Sequence, residues 1–308
     1  MQESDLGTFS GDVKVGFKFA VKNVISLFLA MLGVLIVTLF VLVFILLGII
    51  TVIMTFGGGF PGVIRAIMVV AEAVETFPSP ASLGIIAMIL IPVLLPVFVA
   101  IGALFGMARE IVESEGTSAE GVFTWYERKF ASLAGAGTVV FLIAILPIGL
   151  GYVYISEILG WHLVGTDETL AIAAAVGWFV LTGGLLSMMF PAIIDGYSVK
   201  GAFVKSVGMG ARHAGRVFSL WVFYLALAVG LYAPLIWGSR YAPWLFVEIV
   251  AGSLGFYPVI VSLFLLFILI PAMAISQSRA YLLLSSDEDE EPLVEETQND
   301  LERWGAMN

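Results

Sequence analysis

Six long stretches of almost unbroken apolar residues, separated by short polar segments, dominate the chain: roughly 24–54, 83–108, 133–155, 170–194, 217–236 and 256–283. Each suits a helix crossing a bilayer, which takes about 20 apolar residues. Within lipid such a helix satisfies its own backbone groups, whereas a barrel would show short alternating segments. The pattern predicts an all-α integral membrane protein with six transmembrane helices. The first stretch exceeds what a bilayer requires, so its helix is expected to tilt or project.

The polar segments set the orientation. Lys14, Lys18, Lys22, Arg109, Arg128, Lys129, Lys200, Lys205, Arg212, Arg216, Arg279 and Arg303 fall on one side of the predicted bundle, and only Arg65 and Arg240 on the other. The positive-inside rule makes the first side cytoplasmic, with both chain ends there, in a multi-pass protein of the plasma membrane. Trp161, Tyr241 and Trp244 on the outer side, with Trp125 and Tyr126 on the inner, match interfacial aromatic belts.

Three of the inner segments, 12–23, 118–129 and 198–209, can be laid over one another with Asp12, Ser118 and Ser198 in one place and Phe17, Phe123 and Phe203 in another. The second helix of each following hairpin carries a proline in similar surroundings: Pro96, Pro191 and Pro271. These markers predict a threefold repeat of amphipathic helix plus helical hairpin, roughly 9–108, 117–195 and 198–284. In the middle copy Thr117 and Glu120 form a candidate capping box ahead of Val122, Phe123, Tyr126 and Phe130. The first copy is ambiguous, because Val13, Val15, Phe17, Phe19 and Val21 alternate while Lys14, Lys18 and Lys22 recur every four residues. A lone strand beside a membrane has no partner for its backbone, so a helix on the inner leaflet is expected. In the third copy the stretch 209–216 should extend the helix about two turns further toward the cytoplasm.

Proline inside a span frees a carbonyl and kinks the helix. Kinks at Pro96, Pro191 and Pro271 either outline a central cavity or only fit the helices into a close-packed bundle. Gly102, Gly106, Gly135, Gly137, Gly149, Gly183 and Gly184 permit close helix approach. The outer loop 57–80 holds an amphipathic stretch with Val63, Ile67, Val70, Val74 and Phe77 on one side. It is expected to lie flat in the outer interface, or else to act as a lid.

Composition supports the membrane class: 60% of residues are hydrophobic and 12% charged, with a mean hydropathy of +1.05, against roughly 25% charged in a soluble domain. The N-terminal segment lacks the order of a cleavable signal, so the first apolar run is expected to be retained. The formal charge of −10 concentrates in Asp287, Glu288, Asp289, Glu290, Glu291, Glu295, Glu296, Asp300 and Glu302. Residues 285–308 thus read as an acidic disordered tail, with docking of a basic cytoplasmic protein as the sharper alternative. An isoelectric point near 4.6 fits the high-salt cytoplasm of a halophilic archaeon.

Candidate chemistry is sparse. Without cysteine there is no thiolate catalysis and no cysteine-ligated metal. His162 and His213 fall on opposite sides and cannot share a metal. Glu157 and Asp195 sit at span ends and Glu248 near a loop, which argues against a proton relay or ion-coupled carrier. Glu110 and Glu113 occupy what reads as a charged loop, and no nucleotide-binding or nucleophile-elbow motif appears. No enzyme activity, cofactor or metal is expected. The remaining polar cluster is Lys200, Lys205, Arg212, His213 and Arg216. Lys205, Arg212 and Arg216, spaced by seven and four, would share one helix face and grip lipid phosphates at about 1 kcal/mol per base. The bland explanation is that they only enforce topology.

The stretch 190–220, a proline-bearing helix end, a short turn, an Ala-rich helix and a basic approach to the next span, resembles a broad family of polytopic membrane proteins without assigned activity. That family includes the membrane domain fused to some glycerophosphodiester phosphodiesterases, and related stand-alone archaeal proteins. With no phosphodiesterase domain in this chain, the resemblance implies a membrane fold and no reaction. Two function classes follow: a non-catalytic module that binds lipid or organises a partner, and a passive channel or permease for a small neutral or apolar solute.

Overall fold

The computed structural model describes residues 5–76, 79–114, 116–155, 166–242, 244, 247, 249 and 255–286. Trp161, His162, Glu157, Glu248, Phe77, the side chains of Arg240 and Tyr241, and the acidic run from Asp287 lie outside the described residues. Within them the chain is helical, without a strand. Six helical stretches are long and apolar enough to cross a membrane: Val24–Phe56, Leu90–Ser114, Gly121–Val153, Thr166–Ile194, Ala214–Leu235 and Tyr257–Ser286. The chain is therefore an all-α polytopic membrane protein.

The elements are α1 (Asp5–Lys22), α2 (Val24–Phe56), α3 (Phe60–Glu75), α4 (Pro80–Ser114), α5 (Gly121–Val140), α6 (Leu146–Val153), α7 (Thr166–Leu186), α8 (Met189–Ile194), α9 (Val199–Arg212) and α10 (Ala214–Tyr241). The last span, Tyr257–Ser286, is α11. The ambiguous first segment is a helix, and its two periods have distinct uses. Asp12, Gly16 and Ala20, four residues apart, are buried against the bundle, while Lys14, Lys18 and Lys22 project from the opposite face.

The same register recurs in the other two copies. Val122 and Ala202 are buried where Gly16 is, and Tyr126 and Ser206 where Ala20 is. Single non-helical residues separate α1 from α2, at Asn23 (φ −105°, ψ 19°), and α9 from α10, at His213 (φ −115°, ψ 41°). The amphipathic helix of the third copy thus ends at Arg212, with His213 as the break, rather than running uninterrupted into the span. In the middle copy no such break occurs, and the amphipathic segment runs directly into its span.

Pro96, Pro191 and Pro271 are all buried, whereas Pro92, Pro147, Pro234 and Pro258 are only half-buried. Their local effects differ. α4 stays helical through Pro92 and Pro96, the chain breaks between α7 and α8 just ahead of Pro191, and a π-helical turn at Leu265–Leu269 precedes Pro271. A second π-helical turn, Phe141–Ile145, joins α5 to α6 ahead of Pro147. Proline lacks the N–H that would cap the carbonyl four residues back, and here the Trp178 indole N–H donates to that carbonyl, of Ile143, at 3.0 Å.

The packed core lies toward the end of the bundle that carries α1 and α9, hereafter the basic end. α2 buries only Leu27, Ala30, Val34 and Thr38, all in its first half. At about 1.5 Å per residue its 33 residues span about 50 Å, more than the hydrocarbon core. Lipid is as apolar as these side chains, so close backbone approach and dispersion hold the helices together. A Cβ on Gly102 or Gly137 would fall 2.5 Å from Leu133 or 2.2 Å from Phe98 at the α4–α5 crossing, and one on Gly183 2.5 Å from Trp221 of α10. At Gly16 it would meet Ser276 Oγ at 2.0 Å and the Ala272 carbonyl at 2.6 Å. Gly16→Ala should destabilise the protein by about 1–3 kcal/mol through overpacking. Gly177→Ala, with nothing within 4 Å, should be neutral or slightly stabilising. Thermal unfolding of both variants in detergent checks the contrast, which equal midpoints would contradict.

Candidate functional site at the basic end

The helix-face arithmetic of α1 places an acidic residue inside the bundle. Asp12 has no exposed surface, and two arginines from the far end of the chain converge on it. Arg216, in the first turn of α10, donates Nε to Asp12 Oδ2 at 2.7 Å and Nη2 to Oδ1 at 3.0 Å. Arg279 of α11 donates Nη1 to the same Oδ1 at 2.9 Å. The two-point contact with Arg216 uses the planar fork of a guanidinium, which fits both carboxylate oxygens at once. The Arg216 side chain is 9% exposed and that of Arg279 31%. Below the ion trio, Ser276 Oγ bonds to the Asp12 carbonyl at 3.0 Å and to the Tyr224 hydroxyl at 2.7 Å. Phe17 stacks on Tyr224 with ring centroids 5.9 Å apart.

A second acidic centre lies on the other side of α11. Asp195, at the end of α8, accepts from Arg109 Nη1 of α4 at 2.6 Å and from the Tyr281 hydroxyl at 3.0 Å. Arg109 also pairs with Glu113 at 2.9 Å. Because Arg279 and Tyr281 are two residues apart, α11 holds α1 and α10 through one carboxylate, and α4 and α8 through another. Glu110 is fixed as well: its carboxylate accepts from Thr117 Oγ1 and from the Trp125 indole N–H, each at 2.8 Å.

Several expectations change here. Arg216 does not share an outward face with Lys205 and Arg212, because α9 ends at Arg212 and His213 breaks the helix, turning Arg216 inward onto Asp12. Arg212 is exposed and Lys205 half-buried on α9. Asp12 lies in the middle of α1, unlike its repeat counterpart Ser198, whose hydroxyl caps α9 by accepting from the Gly201 N–H at 3.2 Å. Glu110 and Glu113 are on the last turns of α4 rather than in a loop. No capping box forms, since the Thr117 hydroxyl points to Glu110 and α5 begins without a side-chain cap. The Asp12 trio is the feature the sequence reading missed. Its trace was present in Asp12, Gly16 and Ala20, an acidic and small-residue stripe opposite three lysines.

Among the described residues no group of three or more His, Asp or Glu side chains is arranged to hold a metal. The trio is instead an ionic clamp with a formal excess of one positive charge. No family model matches the chain, and neither does any curated protein or solved structure.

Asp12→Asn leaves two guanidiniums around a neutral amide, and breaking a buried pair in this way costs about 3–5 kcal/mol. Asp12→Asn combined with Arg216→Met should recover part of that loss, because the stranded charge goes too. A thermal midpoint unchanged in Asp12→Asn would show that the trio carries no structural weight.

Proposed function

We propose that the protein is a non-catalytic membrane module that interacts with lipid through its basic end, which faces the cytoplasm from the plasma membrane. One observation carries the reading: α1 and α9 are amphipathic helices docked on the bundle by small buried residues, with Lys14, Lys18, Lys22, Lys200 and Arg212 exposed around them. Such a helix at a membrane boundary sets its bases at headgroup level, and each base near an anionic leaflet contributes about 1 kcal/mol. Lys205 and Arg212 retain their assigned headgroup role in this reading, while Arg216 acts inside the bundle. The resemblance of residues 190–220 to polytopic domains without a reaction agrees with it. A passive channel or permease has less support, because Met188, Met189 and Ile193 beside Pro191, and Leu269 and Ala272 beside Pro271, are buried in the hydrophobic core.

The absence of cysteine lets single labels report topology and lipid contact cleanly. Cysteines placed at Ser4 and Ser286 should resist an impermeant reagent in intact cells, and one at Thr166 should react. Replacing Lys14, Lys18, Lys22, Lys205 and Arg212 by Gln should lower the anionic lipid that co-purifies, and lipid retained by the unaltered protein should fall as salt rises. Unchanged lipid content in the five-residue variant would contradict the function, and accessible termini would contradict the orientation.

A further inference from the structure

Next to the ion trio the surface opens into a cleft of about 270 Å³, bounded by Gly7, Thr8, Gly11, Arg216, Arg279 and Leu283 with Asp12 at its base. We propose that this cleft binds a phosphate group, borne by a lipid headgroup or free in solution. The inference deepens the lipid-interacting reading by naming one headgroup site, and it rests on that reading for its lipid source alone.

Charge is the first reason. Two guanidiniums face a single carboxylate, and among the described residues neither makes an ion pair with any other acid. The excess positive charge is held largely out of water by the burial of Arg216, where an anion is attracted more strongly than at an open surface. Donor capacity is the second. A guanidinium has five N–H groups, and the pair of arginines directs only three bonds at Asp12, from Arg216 Nε and Nη2 and Arg279 Nη1. Phosphate accepts two-point contacts from such forks and has oxygens enough for both.

Shape is the third reason. Gly7 and Gly11 are four residues apart on one face of α1, so the cleft is walled there by bare backbone; a Cβ on Gly11 would stand 3.6 Å from Arg279 Nη1. The volume far exceeds the ~10–15 Å³ that one water needs. It is also below the ~300–1,000 Å³ of sites that enclose drug-sized ligands. A single headgroup or inorganic ion fits this range. Leu283, 42% exposed on the rim, gives the cleft an apolar edge against which the first carbons of a lipid would rest.

The test uses the full chain in a neutral detergent at fixed ionic strength, with thermal midpoint read against two probes, inorganic phosphate and dioctanoyl phosphatidic acid. Two variants accompany it. Arg279→Gln removes the excess charge and keeps the Asp12–Arg216 pair; Gly7→Leu fills the cleft and leaves all three charged residues. A saturable rise in midpoint is expected for the unaltered protein. Each variant should bind about tenfold more weakly or worse, the ordinary effect of losing a hydrogen bond to a charged group or the space for it. A rise with the lipid alone identifies a headgroup site, and a rise with inorganic phosphate alone identifies a free-anion site. The Gln variant of the surface bases should keep the rise, which separates this site from the general lipid reading. No saturable rise with either probe, or equal rises in both variants, would overturn the proposal.

Discussion

A carboxylate with no exposed surface loses its hydration and needs donors in its place, and at Asp12 two guanidiniums supply them from positions 204 and 267 residues further along the chain. Desolvating an isolated carboxylate costs several kcal/mol, and the two-point contact from Arg216 offsets that cost directly, with Arg279 adding a third bond. Much of the basic end follows from this constraint. Gly16 has no side chain because Ser276 and the Ala272 carbonyl occupy the space beside it. Ser276 is polar because it bonds the carbonyl of the same Asp12. The break at His213 turns the first residues of α10 so that Arg216 points inward.

The last span is the common strut. Arg279 ties it to α1 and α10 through Asp12, while Tyr281 ties it to α4 and α8 through Asp195. One helix thus joins the first, second and third copies of the repeat at one end of the bundle. Toward the other end the ties are hydroxyl hydrogen bonds without charge, from Tyr257 to the Leu231 carbonyl and between Tyr232 and Ser262, and α2 past Thr38 presents mostly exposed apolar side chains. Dispersion against lipid replaces dispersion against protein there, at little net cost. The charged ties of the molecule are thus concentrated at its basic end.

How much of this was legible in the sequence depends on whether a feature is local. The six spans are, because a run of apolar residues long enough to cross lipid needs no knowledge of its neighbours, and the predicted runs and observed helices overlap throughout. The amphipathic segments marked by Phe17, Phe123 and Phe203 were legible for a similar reason, and they share burial at 16, 122 and 202 and at 20, 126 and 206, though not at Asp12, Ser118 and Ser198. The ion trio was not, since nothing near Asp12 in the sequence names Arg216 or Arg279. The capping box failed for a related reason. α4 continues to Ser114, past the end of its apolar run, and brings Glu110 beside Thr117 and Trp125. The three bases read as one face came apart at His213, in a glycine-rich stretch with Gly208, Gly210 and Gly215 where helix propensity is weak.

The ionic clamp requires α1 to be a docked part of the bundle rather than a helix floating on the membrane surface. Hydrogen exchange on the protein in lipid nanodiscs measures this directly, because amides of a docked helix open only with the structure that holds them. Residues 12–20 of α1 should exchange as slowly as 216–224 of α10 and 272–281 of α11. Rapid exchange along α1 with both spans still protected would contradict the clamp.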